Sequence, residues 1–78
     1  MPTEEKDYIT KAELARRIER SQATVQRMMR RGLPYIRYYR DVVMFSWEDC
    51  VAWLNEQHYA PPSIIERWRQ DAHRKAAG

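Results

Sequence analysis

The sequence predicts a mainly α domain with one small β-hairpin, its elements in the order α-α-β-β-α, followed by a further amphipathic helix. Three observations carry that expectation. Apolar residues recur at helical spacing in four segments, each opened by a capping Thr or Ser. Two runs rich in aromatic and β-branched residues lie together between the second and third of these segments. The length, 78 residues with 44% hydrophobic and 32% charged, suits one compact domain with a small core and leaves no room for a second.

The first helix opens at Thr10. Thr10-Lys11-Ala12-Glu13 has the spacing of a capping box, in which the hydroxyl covers one orphan N–H and Glu13 reaches back to another. At about 100° per residue Leu14, Ala15 and Ile18 share one face, with Glu13, Arg16 and Arg17 on the other, and the pattern ends near Glu19. Ser21 caps a second helix from Gln22 to Arg31. Gly32 stands just past its end, where a left-handed residue is expected, and Pro34 blocks continuation. Two short helices joined so tightly read as a helix-turn-helix.

The second helix divides by face. Val25, Met28 and Met29 fall on the arc that packs on Leu14 and Ile18. Ala23, Gln26, Arg27 and Arg30 fall on the opposite side within about 100°, with Gln22 and Thr24 flanking the first turn. Gln and Arg read adenine and guanine edges through paired hydrogen bonds, and a small Ala23 permits close approach to a thymine methyl. The helix N-terminus also offers free N–H groups to a phosphate. The alternative is an ordinary solvated surface helix. No acid occurs from Ser21 to Arg40, which favours the recognition reading.

Tyr35-Ile36-Arg37-Tyr38 and Val42-Val43-Met44-Phe45 form the expected strands, with Tyr39-Arg40-Asp41 as the turn. A short hairpin projecting Arg37 and Arg40 after such a helix is the wing of a winged helix-turn-helix, placed along phosphates or in the minor groove. The tyrosines serve either as packing residues or, at the tip, as contacts to sugar. Ser46 caps the third helix, whose Trp47, Cys50, Val51 and Leu54 share a face with Trp53 beside it. Glu48 and Asp49 suit its first turn, and its acids make it a poor DNA-contacting element. Pro61-Pro62 marks a break, and Ser63-Ile64-Ile65-Glu66 has the spacing of another capping box. The helix that follows carries Ile64, Ile65, Trp68 and Ala72 on one arc, and Ala76-Ala77-Gly78 is expected to fray. That arc can dock on its own domain, bind a partner or second copy, or stay unfolded alone. Ile64, Ile65 and Trp68 are its candidate partner-binding residues. The expected division is an acidic arm at 1–7, a DNA-binding domain at 8–58 and a linker with the last helix at 59–78.

Charge is unevenly distributed. Net charge is −2 over residues 1–10, +7 over 11–40, −4 over 41–60 and +2 over 61–78, for +3 in all. Arginine outnumbers lysine eleven to three. A basic middle third rich in planar guanidinium forks suits phosphates and guanine edges, or is merely a solvated basic face. One cysteine excludes an intrachain disulfide and points to a reducing compartment. The first ten residues lack the basic and apolar regions of a signal peptide, and no apolar run is long enough for a membrane span, so a cytoplasmic protein is expected. Cys50, His58 and His73 are the only soft ligands, none at a metal-binding spacing. With only two glycines there is no phosphate-cradling loop. An enzyme, a cofactor and a small-molecule ligand are therefore not expected, and Cys50 reads as a packed thiol.

The stretch from Tyr8 to Leu54 resembles the excisionase/MerR-like winged helix-turn-helix superfamily, which includes AlpA-like regulators. The matching residues are Ile9 to Ala15, Ser21 to Gly32 (SQATVQRMMRRG), Leu33-Pro34, Phe45, and Asp49 with Ala52-Trp53-Leu54. Two departures stand out: Glu19 and Arg20 replace a glycine and an apolar residue in the inter-helix turn, and the wing lacks a glycine near Tyr39. The resemblance implies that Gln22, Ala23, Thr24, Gln26, Arg27 and Arg30 contact double-stranded DNA from the recognition helix, and Arg37 and Arg40 from the wing. It implies an excisionase (a recombination directionality factor) or an AlpA-like transcriptional regulator of a phage or mobile element. Self-association on adjacent half-sites and contact with an integrase or other phage protein go with that reading. The alternatives are the DNA-recognition module of a small-terminase-like packaging complex, or a protein-interaction adaptor working through the last helix.

Overall fold

The computed structural model describes residues 8–77, with side chains through Ala72. The expectations for the acidic arm at 1–7, for His73 and for Gly78 lie outside the described residues. Four helices and a small antiparallel sheet follow in the order β1 (Tyr8–Ile9), α1 (Lys11–Ile18), α2 (Gln22–Arg30), β2 (Ile36–Tyr39), β3 (Val42–Ser46), α3 (Trp47–Glu56) and α4 (Pro62–Ala77).

Three of the four helix starts obey their caps. The hydroxyls of Thr10, Ser21 and Ser46 accept the backbone N–H of Glu13, Thr24 and Asp49. The reciprocal half of the first capping box gives way to a stronger competitor. The Glu13 carboxylate takes Arg16 Nη2 at 2.5 Å and Arg17 Nε at 2.9 Å. These two guanidinium groups, Arg16 first, hold its carboxyl down at about 2. The second predicted capping box, Ser63 with Glu66, is corrected. Helix α4 begins at Pro62, so Ser63 is already inside the first turn, and Glu66 pairs forward with Arg69 at 3.0 Å. Proline is preorganised for the first helical position, where its missing N–H costs nothing. The Pro61 carbonyl accepts the N–H of both Ile64 and Ile65. The helix continues through Ala77, where the sequence suggests a frayed tail.

The first three helices end alike. Glu19 (φ 59), Gly32 (φ 113) and His58 (φ 56) each take the left-handed conformation just past a helix. After each, two N–H groups turn back on the last carbonyls: Glu19 to Arg16 and Arg20 to Ala15, Gly32 to Met29 and Leu33 to Met28, His58 to Asn55 and Tyr59 to Leu54. Only one of the three is the glycine that such a position favours. In the turn between α1 and α2 it is a glutamate, Glu19, that holds the left-handed conformation.

The sheet has three strands in the order β1-β3-β2, one more than the predicted hairpin. Tyr8 pairs with Ser46 and Ile9 with Phe45. In the hairpin Ile36 faces Met44, Arg37 faces Val43 and Tyr39 faces Val42, with a bulge at Tyr38. The turn shrinks to Arg40-Asp41, Tyr39 joins β2, and Arg40 takes the positive φ (48°). Ile9 and Phe45 point inward and are buried. With them Leu14, Ala15, Ile18, Val25, Met28, Leu33, Trp47, Cys50, Val51, Leu54, Ile65 and Ala72 form one continuous core.

Helix α4 belongs to that core. Ile65 and Ala72 are only 3% exposed. The Trp68 ring tilts against Trp47 at 6.1 Å, and the Trp47 indole N–H donates to the Asp71 carboxylate at 3.1 Å. Arg17 lies 5.2 Å over the Trp47 ring, so α1, α3 and α4 meet at one indole. The division between 8–58 and 59–78 is therefore not a boundary between independent packing units. Of the partner-binding candidates, Ile65 is corrected to a core residue, while Ile64 and Trp68 remain half-buried.

Candidate nucleic-acid interface

The outward face of α2 is built by what its inward face buries. Val25 and Met28 are sealed in the core, which fixes the rotation of the helix about its axis. At about 100° per residue this turns Gln26, Arg27, Arg30, Ala23 and Gln22 to solvent, and all five are exposed. With Lys11 they line a shallow concavity of about 420 Å³. Arg27 and Arg30 have no ion-pair partner among the described residues.

Three contacts preset this face. Lys11 Nζ donates to Gln26 Oε1 at 2.7 Å, which leaves the Gln26 amide NH2 as a directed donor. Thr24 is half-buried, and its hydroxyl lies 3.1 Å from Ser21 Oγ and accepts from Arg27 Nη2 at 3.3 Å. Thr24 therefore organises the first turn and steers Arg27, rather than projecting as the exposed residues do. Lys11 is a residue of this candidate site that the sequence reading missed. Its signal was electrostatic: a cation in the first turn of a helix opposes the dipole, and a local rule broken without local gain marks a site.

The wing residues are placed as follows. Arg37 Nη1 donates to the Arg40 carbonyl at 3.3 Å across the turn, and the Arg40 guanidinium lies 5.4 Å from the Tyr39 ring. The bulge pushes Tyr38 out to 73% exposure, with Tyr39 at 61%. Tyr8, Ile36, Tyr39 and Val42 share the outer face of the sheet, because their partners are alternate residues of β3. Tyr35 instead packs its ring 6.3 Å from Phe45.

Cys50 is buried, its thiol pushed up to about 12 by desolvation and then by the Asp49 charge. Its Sγ lies 3.7 Å from the Pro34 carbonyl. Among the described residues no group of three or more His, Cys, Asp or Glu could hold a metal ion, and no helix is long and apolar enough to cross a membrane. Comparison with known proteins finds no matching family model, no matching curated protein and no matching solved structure.

Proposed function

We propose that the chain is a sequence-specific double-stranded DNA-binding protein of winged helix-turn-helix architecture. Helix α2 enters the major groove, where Gln22, Gln26, Arg27 and Arg30 face base edges and Ala23 gives clearance. Lys11 lies beside them, and Arg37 and Arg40 of the wing meet the backbone or minor groove. The observation that carries this reading is the outward face of α2: Arg27 and Arg30 without an acidic partner among the described residues, two glutamines and a small residue, on a helix locked in rotation by Val25 and Met28. The resemblance over Tyr8–Leu54 supports a place in a phage or mobile element, as an excisionase or an AlpA-like regulator. One module of this size covers roughly 600–1,000 Å² of DNA-facing surface, so tight binding calls for a second copy on an adjacent half-site.

The test is affinity-purified sequencing of fragmented DNA from the source genome and its mobile elements at near-physiological salt. Sharp peaks beside an integrase attachment site support the excisionase role, and peaks at a promoter the regulatory role. Absence of enrichment would refute sequence-specific reading by this chain alone.

A further inference from the structure

A second concave surface opens on the other side of the molecule. It measures about 220 Å³ and lies where the α1–α2 turn, the α3–α4 corner and the first turns of α4 converge. Met28, Leu54, Ile64 and Trp68 give it apolar walls, and Arg20 and Arg67 stand on its rim. It is smaller than the roughly 300–1,000 Å³ of ordinary small-molecule sites and suits one bulky side chain. Ile64 and Trp68 are only half-buried by their own domain, and both line the groove. Neither Arg20 nor Arg67 has an ion-pair partner among the described residues, and Glu19 is the single acid of the lining.

We propose that this groove docks an acidic segment of another protein, with one bulky apolar side chain seated between Ile64 and Trp68 and its flanking carboxylates on Arg20 and Arg67. Charge complementarity selects the occupant. An apolar anchor alone would fit the walls, but two exposed guanidinium groups at the mouth favour carboxylates on either side of it. A second copy of this chain is the poorer fit among the described residues. Its exposed acids on α3, Glu48 and Glu56, flank only Ala52 and Asn55. Its exposed bulky residues sit in or next to the sheet, where Arg37 and Arg40 outnumber the one acid there, Asp41, so Arg20 and Arg67 meet a net positive surface. Met28 reaches the groove from the buried side of α2, opposite Gln26, Arg27 and Arg30. The groove and the proposed DNA face can therefore be occupied together, and the inference stands whether or not the chain binds DNA.

The experiment selects a displayed library of random dodecapeptides on the immobilised full chain, then measures the recovered peptides against wild type and an Arg20→Glu/Arg67→Glu variant. Both sites are exposed, and an unchanged melting curve confirms that the variant folds. The expected result is an acid-rich consensus around a single Leu, Ile, Phe or Trp, with binding to the variant weakened about tenfold or more. Amide shifts on titration fall at Arg20 and at Ile64–Trp68. Peptides that lack acids, that bind both proteins equally or that shift α2's outward face would overturn the proposal. So would no enrichment, or a dimer of the chain alone that the variant abolishes. Loss of DNA affinity in the variant would reassign both arginines to the nucleic-acid surface and also refute it.

Discussion

Ile65→Ala tests whether the last helix is part of the folding unit. The wild-type side chain is 3% exposed and belongs to the continuous core. Truncation to alanine removes three carbons, worth about 2.5 kcal/mol in transfer free energy. The cavity left between α3 and α4 adds to this, for a total of about 3–4 kcal/mol. A domain of this length is held by roughly 4–12 kcal/mol in all, so the variant forfeits a large share of it. At about 4–8 °C per kcal/mol the midpoint should fall by more than about 12 °C. The assay is thermal unfolding followed by far-UV circular dichroism together with tryptophan fluorescence. Because Trp47 touches Trp68 and Asp71, both signals should move in one transition. A fluorescence midpoint that stays put while some helical signal melts early would show that α4 is an appendage and refute the reasoning.

Arg27→Ala and Arg30→Ala should each weaken specific DNA binding by about 1–3 kcal/mol, read by fluorescence anisotropy on the preferred site and a scrambled one; equal losses on both would mark phosphate contacts instead. The Glu13 carboxyl is lowered from 4.5 to about 2 by Arg16 and Arg17, so its contribution is present above pH 4.5 and is lost as pH falls towards 2. Glu13→Gln should therefore flatten the acid limb of the stability curve, and an unchanged limb would assign acid sensitivity elsewhere. Cys50, with its thiol near 12 and its side chain buried, should resist aromatic disulfide reagents from pH 7 to 9 unless the chain is unfolded; prompt labelling of the native protein would contradict its packing. His58→Gly relieves a left-handed residue at an exposed site and should raise the melting midpoint by a few degrees, about 0.5–1 kcal/mol, whereas a fall would show that the imidazole holds a contact of its own.

What the sequence discloses depends on whether the cause is local. The caps at Thr10, Ser21 and Ser46 were legible because a hydroxyl bonds an N–H three residues on, and the buried face of every helix followed from spacing. The outer strand β1 behaves differently. β1 is two residues long and exists only through its pairing with Phe45 and Ser46, a partnership no local pattern announces. The left-handed turns at Glu19, Arg40 and His58 were hidden because none is a glycine, so the position is set by packing on both sides rather than by residue preference. Periodicity named Ile64, Ile65 and Trp68 as one face, but a period cannot name the neighbour that covers it. The outward face of α2 was the most readable part of the candidate site, since α2 needs only its own buried arc to orient it. Lys11 escaped because its partner, Gln26, lies on a different helix.

The join between β3 and α3 has a mechanical consequence. Ser46 is the last residue of the strand, the partner of Tyr8 and the cap of the helix, and Trp47 follows without a spacer. A rod and a plate welded at one residue cannot tilt separately. If the proposed DNA loads the hairpin, the direct route inward runs through Ser46 into α3 and on to α4 by the Trp47–Trp68 contact. Amide exchange in β3 and α3 should slow in step when the wing is engaged; independent rates would mean that the weld yields.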